Sequence, residues 1–326
     1  MFVMKEWQSR LRYDSVTCLL SSQNEAINYF VKRDLLGEPV QQIESLWNLP
    51  EVKKIVKRQR EDGSWKYPGG NPHIRSHKNY DQLETYRMVG ELVEKYGLRR
   101  THPSIKKAAE FLFKFQKNEG DFRGIYGNQY TPNYSAGIIE LLIKAGYQND
   151  PRIKKGFTWL LSARQNDGGW AIPARTHRMP LNEKTMHSKI IESDTSMPSS
   201  HLVTGIVLRP FAAHEKYRKR SEALIAGEFL ANRICRRDAY PDRGTAEYWE
   251  RVSFPFWFTD IVSSLDSLSH LGFRTEDART AHALRFLRGK QRRNGLFELK
   301  LVRGKDEDLP LWIALAICRI YARFHG

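Results

Sequence analysis

Apolar positions recur along this chain with a helical period, in segments of two alternating kinds. In the first kind a single face is apolar. Ile153, Phe157, Leu160 and Leu161 share one face of 151–165, and Ile105, Ala108, Ala109 and Leu112 share one face of 103–116. Segments 51–59, 220–233 and 277–291 read the same way, and Pro103 and Pro151 suit first-turn positions where a missing N–H costs nothing. In the second kind apolar residues run nearly all round: 80–96, 133–145, 199–213, 255–271 and 309–324, with 24–36 as a sixth. Glycines 37, 97, 146 and 272 follow their ends, as C-terminal caps do. One-faced helices belong outside and all-round apolar helices inside. Turns from inner to outer helices are short, whereas the outer-to-inner connections 60–79, 117–132, 166–198, 234–254 and 292–308 are long.

Four of these outer segments carry the same signature near their ends. A glutamine is followed by glycine, any residue and an aromatic in Gln59…Gly63-Ser64-Trp65, Gln116…Gly120-Asp121-Phe122, Gln165…Gly168-Gly169-Trp170 and Gln291…Gly295-Leu296-Phe297. The glutamines lie 57, 49 and 126 residues apart, so a degenerate copy is expected between the last two. Repetition at such a period marks stacked helical units. The expected fold is all-α, an α/α toroid of about five to six helical hairpins with inner and outer rings; an open superhelix is the alternative. One domain spans 1–326, with 1–21 as an N-terminal extension that supplies the outer partner the last inner helix lacks. Loop 171–198 is long enough to be a lid.

The run Lys155-Gly156-Phe157-Thr158-Trp159-Leu160 through Gln165-Asn166-Asp167-Gly168-Gly169-Trp170 resembles the QW repeat of squalene–hopene and related terpenoid cyclases. The other three copies are partial, and together they cover most of the chain. The resemblance implies a terpenoid cyclase or protein prenyltransferase type of α/α toroid, in which the glutamine amide ties the end of an outer helix to the following turn. The segment Asn28-Tyr29-Phe30-Val31-Lys32-Arg33-Asp34-Leu35-Leu36-Gly37 is similar to short, single-toroid prokaryotic proteins. That family's chemistry does not follow with the fold. The Asp-x-Asp-Asp acid of protonation-initiated cyclases, the Asp-rich magnesium motif and the Asp-x-Cys zinc motif are all missing from the sequence. His73 and His77 have i,i+4 spacing but fall in a Gly/Pro loop, so no metal site and no cofactor are expected.

Composition narrows the remaining classes. With 16 Phe, 14 Tyr and 8 Trp in a chain that is 40% apolar, a large core is available. No run is long enough to cross a bilayer, and no secretory leader is evident, so a cytoplasmic location is expected. Three widely spaced cysteines read as ordinary thiols. The net charge of +16 favours an anionic partner. Arg99-Arg100 with Lys106-Lys107, Arg152 with Lys154-Lys155, and Lys216 with Arg218-Lys219-Arg220 all fall at inner-to-outer turns, which the toroid places on one edge. Nucleic acid or the surface of an anionic membrane are the partners such an edge would meet.

Polar residues on the inner helices are the candidate chemistry, because burying them is costly without a partner or a task. Asp260, Glu140 and His201 are the candidate acids and bases; Asp81, Glu84, Asn133, Tyr134, Arg209, Trp257 and Trp312 are candidate ligand contacts. Trp257, Asp260, Ser264 and Ser267 have the spacing of one helical stripe, and His201 follows an expected Ser199 cap. The reading this supports is a central-cavity protein that binds, and transforms, a partly apolar ligand with an anionic group, of isoprenoid type. A non-catalytic repeat scaffold with a basic edge is the alternative, and a lyase or hydrolase of acidic glycans the third.

Overall fold

Proline and side-chain caps set where the helices begin. Pro50, Pro103, Pro132 and Pro151 each stand in a first turn, and Asp150, Ser200, Asp260 and Asp277 cap the backbone N–H groups of the helices that follow them. The computed structural model describes residues 5–69, 80–242, 244–302 and 306–326. The long helices are α1 (Ser15–Leu20), α2 (Glu25–Phe30), α3 (Pro50–Val56), α4 (Tyr80–Tyr96), α5 (Pro103–Phe113), α6 (Pro132–Leu142) and α7 (Pro151–Ser162). They continue as α8 (His201–Ala213), α9 (Ser221–Ala231), α10 (Ile261–His270), α11 (Ala278–Gly289) and α12 (Leu309–His325). Among the described residues the only strands are Arg251–Val252 and Lys300–Leu301, which pair in parallel. Gly37, Gly97, Gly146 and Gly272 close helices with φ of 72°, 63°, 98° and 85°, the left-handed cap the sequence predicts.

The chain divides into two compact units, Ile43–Ala226 and Met1–Gln42 with Gly227–Gly326. In the first, α4, α6 and α8 are inner helices: α6 packs on both others, and one-faced helices lie on two of them, α5 on α4 and α7 on α6. In the second, α10 and α12 pack together, α11 lies on α10, and α12 is covered by α1 and the short helix Glu6–Ser9.

The repeat signature forms one recurring joint. Gln59 Nε2 donates to Gly63 O at 2.9 Å and to Ser104 O, at the start of α5, at 2.9 Å. Gln116 Nε2 does the same to Gly120 O (3.0 Å) and to Arg152 O, at the start of α7 (2.8 Å). Gln291 Nε2 donates to Tyr13 O at 2.9 Å and its Oε1 accepts from the N–H groups of Arg12 and Tyr13, so the N-terminal segment fills the place of the next outer helix. The third copy departs from the expected alignment. There it is Arg164, four residues before the glycine, that donates to Gly168 O (3.2 and 3.1 Å). Gln165 instead ties down Asp194 O and Met197 O, at 2.7 and 3.0 Å. A guanidinium supplies the same N–H donors as an amide, which is how the joint survives the exchange. Between the last two copies, Trp249 Nε1 donates to Arg236 O across 13 residues, whereas Trp65 to Ile55 O and Trp170 to Leu160 O each span 10.

At the signature glycines the chain leaves no room for a side chain. Gly120 has φ +115°, and a Cβ there would lie 2.4 Å from the Lys155 carbonyl oxygen. Gly120→Ala is therefore expected to lower stability by roughly 1–3 kcal/mol, read as a reduced urea midpoint. Gly289→Ala, where nothing lies within 4 Å, is the control and should be neutral or slightly stabilising.

One sequence expectation changes. The 255–271 segment becomes helical only at Ile261, with Asp260 as its N-cap, because Phe254–Thr259 approach it in non-helical backbone through Pro255. Trp257 therefore does not share a helical stripe with Ser264 and Ser267. Loop 171–198 contains the short helices Pro173–Thr176 and Glu183–His187 and is fastened by side-chain amides. Besides Gln165, Gln129 Nε2 donates to Thr185 O at 2.9 Å and its Oε1 accepts from Ile191 N–H at 3.0 Å.

Candidate functional site

The first turns of the inner helices hold most of the candidate residues, and the two units divide them. Asp260, Trp257 and Trp312 belong to the Met1–Gln42/Gly227–Gly326 unit; Asp81, Glu84, Asn133, Tyr134, Glu140, His201 and Arg209 belong to Ile43–Ala226.

In the first of these units Asp260 is fully buried, and its Oδ1 accepts from the N–H groups of Val262 and Ser263, both at 2.9 Å. That is the work of a helix cap. Trp312 is buried face to face on Phe254, with centroids 5.6 Å apart, and edge-on to Phe30 at 6.2 Å. Trp257 is half-buried beside them in sequence and donates its backbone N–H to Ser253 Oγ.

In Ile43–Ala226 the structure assembles a tighter cluster. Glu140 on α6 and Arg209 on α8 are each 3% exposed, and Arg209 Nε lies 3.0 Å from Glu140 Oε2. Lys144, in the helical turn Ile143–Tyr147 that follows α6, holds Oε1 at 2.8 Å and reaches Glu94 on α4 as well. Both carboxylate oxygens of Glu140 are thus committed to cations, which makes it an anchor for Arg209. Tyr86 on α4 is buried and hydrogen-bonded to Arg209. Its ring meets Tyr134 edge-on at 6.3 Å, and Tyr134 meets Tyr126 at 5.4 Å. Gly137 makes this possible, since a Cβ there would sit 2.5 Å from the Tyr86 hydroxyl.

Burial pushes the Tyr86 phenol up to about 12, the neighbouring Arg209 opposing the rise and Glu140 adding to it. A folded-state pKa above the unfolded value of 10.0 means that this contribution is complete below pH 10 and is lost as pH climbs through about 12. Wild type should accordingly lose about 2–3 kcal/mol more stability between pH 9 and pH 12 than Tyr86→Phe, measured by denaturant titration at each pH.

The remaining candidates separate by what they touch. Asp81 is spent on the preceding loop: Oδ2 pairs with Arg60 at 2.6 Å and Oδ1 accepts from Tyr67 N–H at 2.8 Å. Glu84 is buried 3.5 Å from Arg87. His201, 6% exposed, opens α8, whose cap is Ser200 and not Ser199; the Ser199 hydroxyl is drawn off by Asp167. Asn133 stands in the first turn of α6, and its Oδ1 is buried without a hydrogen-bond partner among the described residues.

One residue that sequence reading passed over matches it. Gln82, in the first turn of α4, is 0% exposed, and among the described residues neither its Oε1 nor its Nε2 has a partner. It lies one helical turn from Tyr86 and on the same face. Its signal in the sequence was slight, an uncharged amide between two acids that drew attention first.

The basic residues also lie in this unit. Arg100 N–H donates to Ala145 O at 2.8 Å and His214 Nε2 lies 3.2 Å from Gln148 O, so three inner-to-outer turns run side by side. Arg99, Arg100, Lys216 and Lys219 are exposed there. Two expected members are neutralised locally: Arg152 by Asp150 and Glu110, at 2.7 and 2.8 Å, and Arg220 by Glu222 at 2.6 Å. Among the described residues no helix is long and apolar enough to cross a membrane, and no group of three or more His, Cys, Asp and Glu could hold a metal ion. His73 and His77 lie outside the described residues.

Residues 81–230 match the squalene–hopene cyclase C-terminal domain family. A squalene–hopene cyclase of Zymomonas mobilis subsp. mobilis is 30% identical over 74 residues, 23% of this chain and 11% of that protein. One from Bradyrhizobium diazoefficiens is 27% identical over 95 residues, 29% of this chain and 14% of that protein. The matches thus cover 11% and 14% of the length of these curated relatives. Among solved structures, a protein from Actinoplanes is 14% identical with a TM-score of 0.43, over 96% of this chain and 88% of that one. A variant of the type II terpene cyclase MstE from Scytonema, in complex with merosterolic acid A, is 12% identical with a TM-score of 0.40, over 86% and 96%. A polysaccharide lyase is 11% identical with a TM-score of 0.46, over 95% and 96%. Residues 81–230 are thus terpenoid cyclase-like, and the chain is mostly helical, of the all-α class.

Proposed function

We propose that the Ile43–Ala226 unit binds a partly apolar, isoprenoid-type ligand by a polar or anionic head group at the first turns of its inner helices. The observation that carries this reading is Gln82, an amide at 0% exposure with neither atom partnered among the described residues. A buried amide left in that condition costs free energy, and a bound head group would remove the cost. Asn133 Oδ1 presents a second such acceptor in the first turn of the neighbouring inner helix. Tyr86, Tyr126 and Tyr134 supply an aromatic wall for an apolar chain, and helix N-termini favour an anion. The match of 81–230 to the squalene–hopene cyclase C-terminal domain supports an isoprenoid over a glycan.

Thermal protection by farnesyl diphosphate and by farnesol tests the reading. Saturating ligand at about 100 times its dissociation constant should stabilise wild type by ~2.7 kcal/mol. Asn133→Leu should weaken binding by about tenfold or more. No protection of wild type by either compound, or equal protection of the variant, would overturn the proposal.

A further inference from the structure

A cavity of about 350 Å³ lies in the same unit and shares no residue with the inner-helix cluster. Trp47, Asn48, Val52, Lys53, Lys57 and His102 line it. That volume is at the small end of ligand pockets. Its polar lining is nearly all donor. Lys53 and Lys57 are among the lining residues, and no lining residue is a carboxylate. His102 caps α5, its Nδ1 accepting the Ser104 N–H at 3.1 Å, so the neutral ring carries its proton on Nε2. Trp47 stands edge-on to that ring at 5.5 Å, and its Nε1–H is buried with no acceptor among the described residues. A buried indole N–H normally finds an acceptor, and here the described residues supply none.

We propose that this cavity is a binding site for a phosphate-type oxyanion, held by Lys53, Lys57, the His102 Nε2–H and the Trp47 Nε1–H, with Val52 as the apolar wall for the rest of the ligand. Two cationic side chains and two ring N–H donors belong to residues that line one small volume, and an oxyanion is the group that accepts from all of them. Burial lowers the pKa of His102, which keeps its capping nitrogen unprotonated and the opposite N–H available.

The probe is inorganic phosphate, titrated into protein labelled with ¹⁵N at tryptophan indoles, with the Trp47 signal assigned from Trp47→Phe. A saturable shift of that one signal is expected. Lys53→Met with Lys57→Met should weaken it by about tenfold or more. His102→Asn keeps a capping side chain and removes the ring, so it should weaken phosphate without lowering the melting temperature. Lys154→Met with Lys155→Met, exposed lysines elsewhere in the unit, should leave the affinity unchanged. A Trp47 signal that ignores phosphate, moves equally with sodium chloride at matched ionic strength, or is equally weakened by the control pair would overturn the site.

Discussion

Replacing Gln82 by methionine is expected to make the ligand-free protein more stable and the ligand-binding protein worse. The two effects have one cause. Gln82 is fully buried, and among the described residues its amide has no partner for either atom. Leaving such a group unmade costs about 1–3 kcal/mol, which a thioether of similar length would not incur. Methionine is also a good helix former, so the first turn of α4 is undisturbed. Gln82→Met should therefore raise stability by roughly 1–3 kcal/mol, seen as a higher denaturant midpoint. In the same variant, protection by farnesyl diphosphate should fall at least about tenfold, because the proposed head-group contact to the buried Gln82 amide is lost. This pairing of gained stability with lost binding is the mark of a functional group held at a cost. A variant that is less stable would show that Gln82 is satisfied within the protein, and the proposed site would lose its main support.

How far such residues can be read in advance depends on what makes them visible. Helix type was legible because the apolar period differs between one-faced and all-round helices: 80–96 was predicted to the residue and 309–324 to within one. The caps were legible because glycine and proline have narrow conformational uses. The start of α10 was not, since Pro255 and the aromatics around it read as helix N-terminus by composition while the backbone stays extended to Asp260. The third joint was misaligned because a sequence search favours a glutamine, whereas the Gly168 carbonyl needs only an N–H donor at the right distance, and Arg164 provides it. For the site, Glu140 and Arg209 were both visible as costly residues on apolar helices. That they answer each other depends on the packing of α6 against α8, which no local pattern encodes. Asp81 misled for the complementary reason: its charge attracted notice, yet it is satisfied by Arg60 and the Tyr67 N–H, while the unremarkable Gln82 next to it is the unsatisfied one.

The Glu140–Arg209 pair should respond asymmetrically to the loss of either partner. Arg209 is 3% exposed, and Glu140→Leu removes the carboxylate that faces it, leaving a buried guanidinium with Tyr86 beside it. Removing one member of a buried pair costs about 3–5 kcal/mol. Arg209→Met is milder, because Lys144 still holds Glu140 at 2.8 Å from a position 28% exposed to solvent; a loss of about 1–2 kcal/mol is expected. The double variant should resemble Arg209→Met, since Lys144 retains Glu94 and no buried charge is stranded. The double-mutant cycle then yields a coupling of about 3–5 kcal/mol, the size of the Glu140→Leu loss, measured by denaturant unfolding of all four proteins. Equal single losses, or a double loss equal to their sum, would show that Glu140 does not hold Arg209, and the anchoring role assigned to it would fall. Retention of farnesyl diphosphate binding in a folded double variant would separate that structural role from the head-group site formed by Gln82 and Asn133.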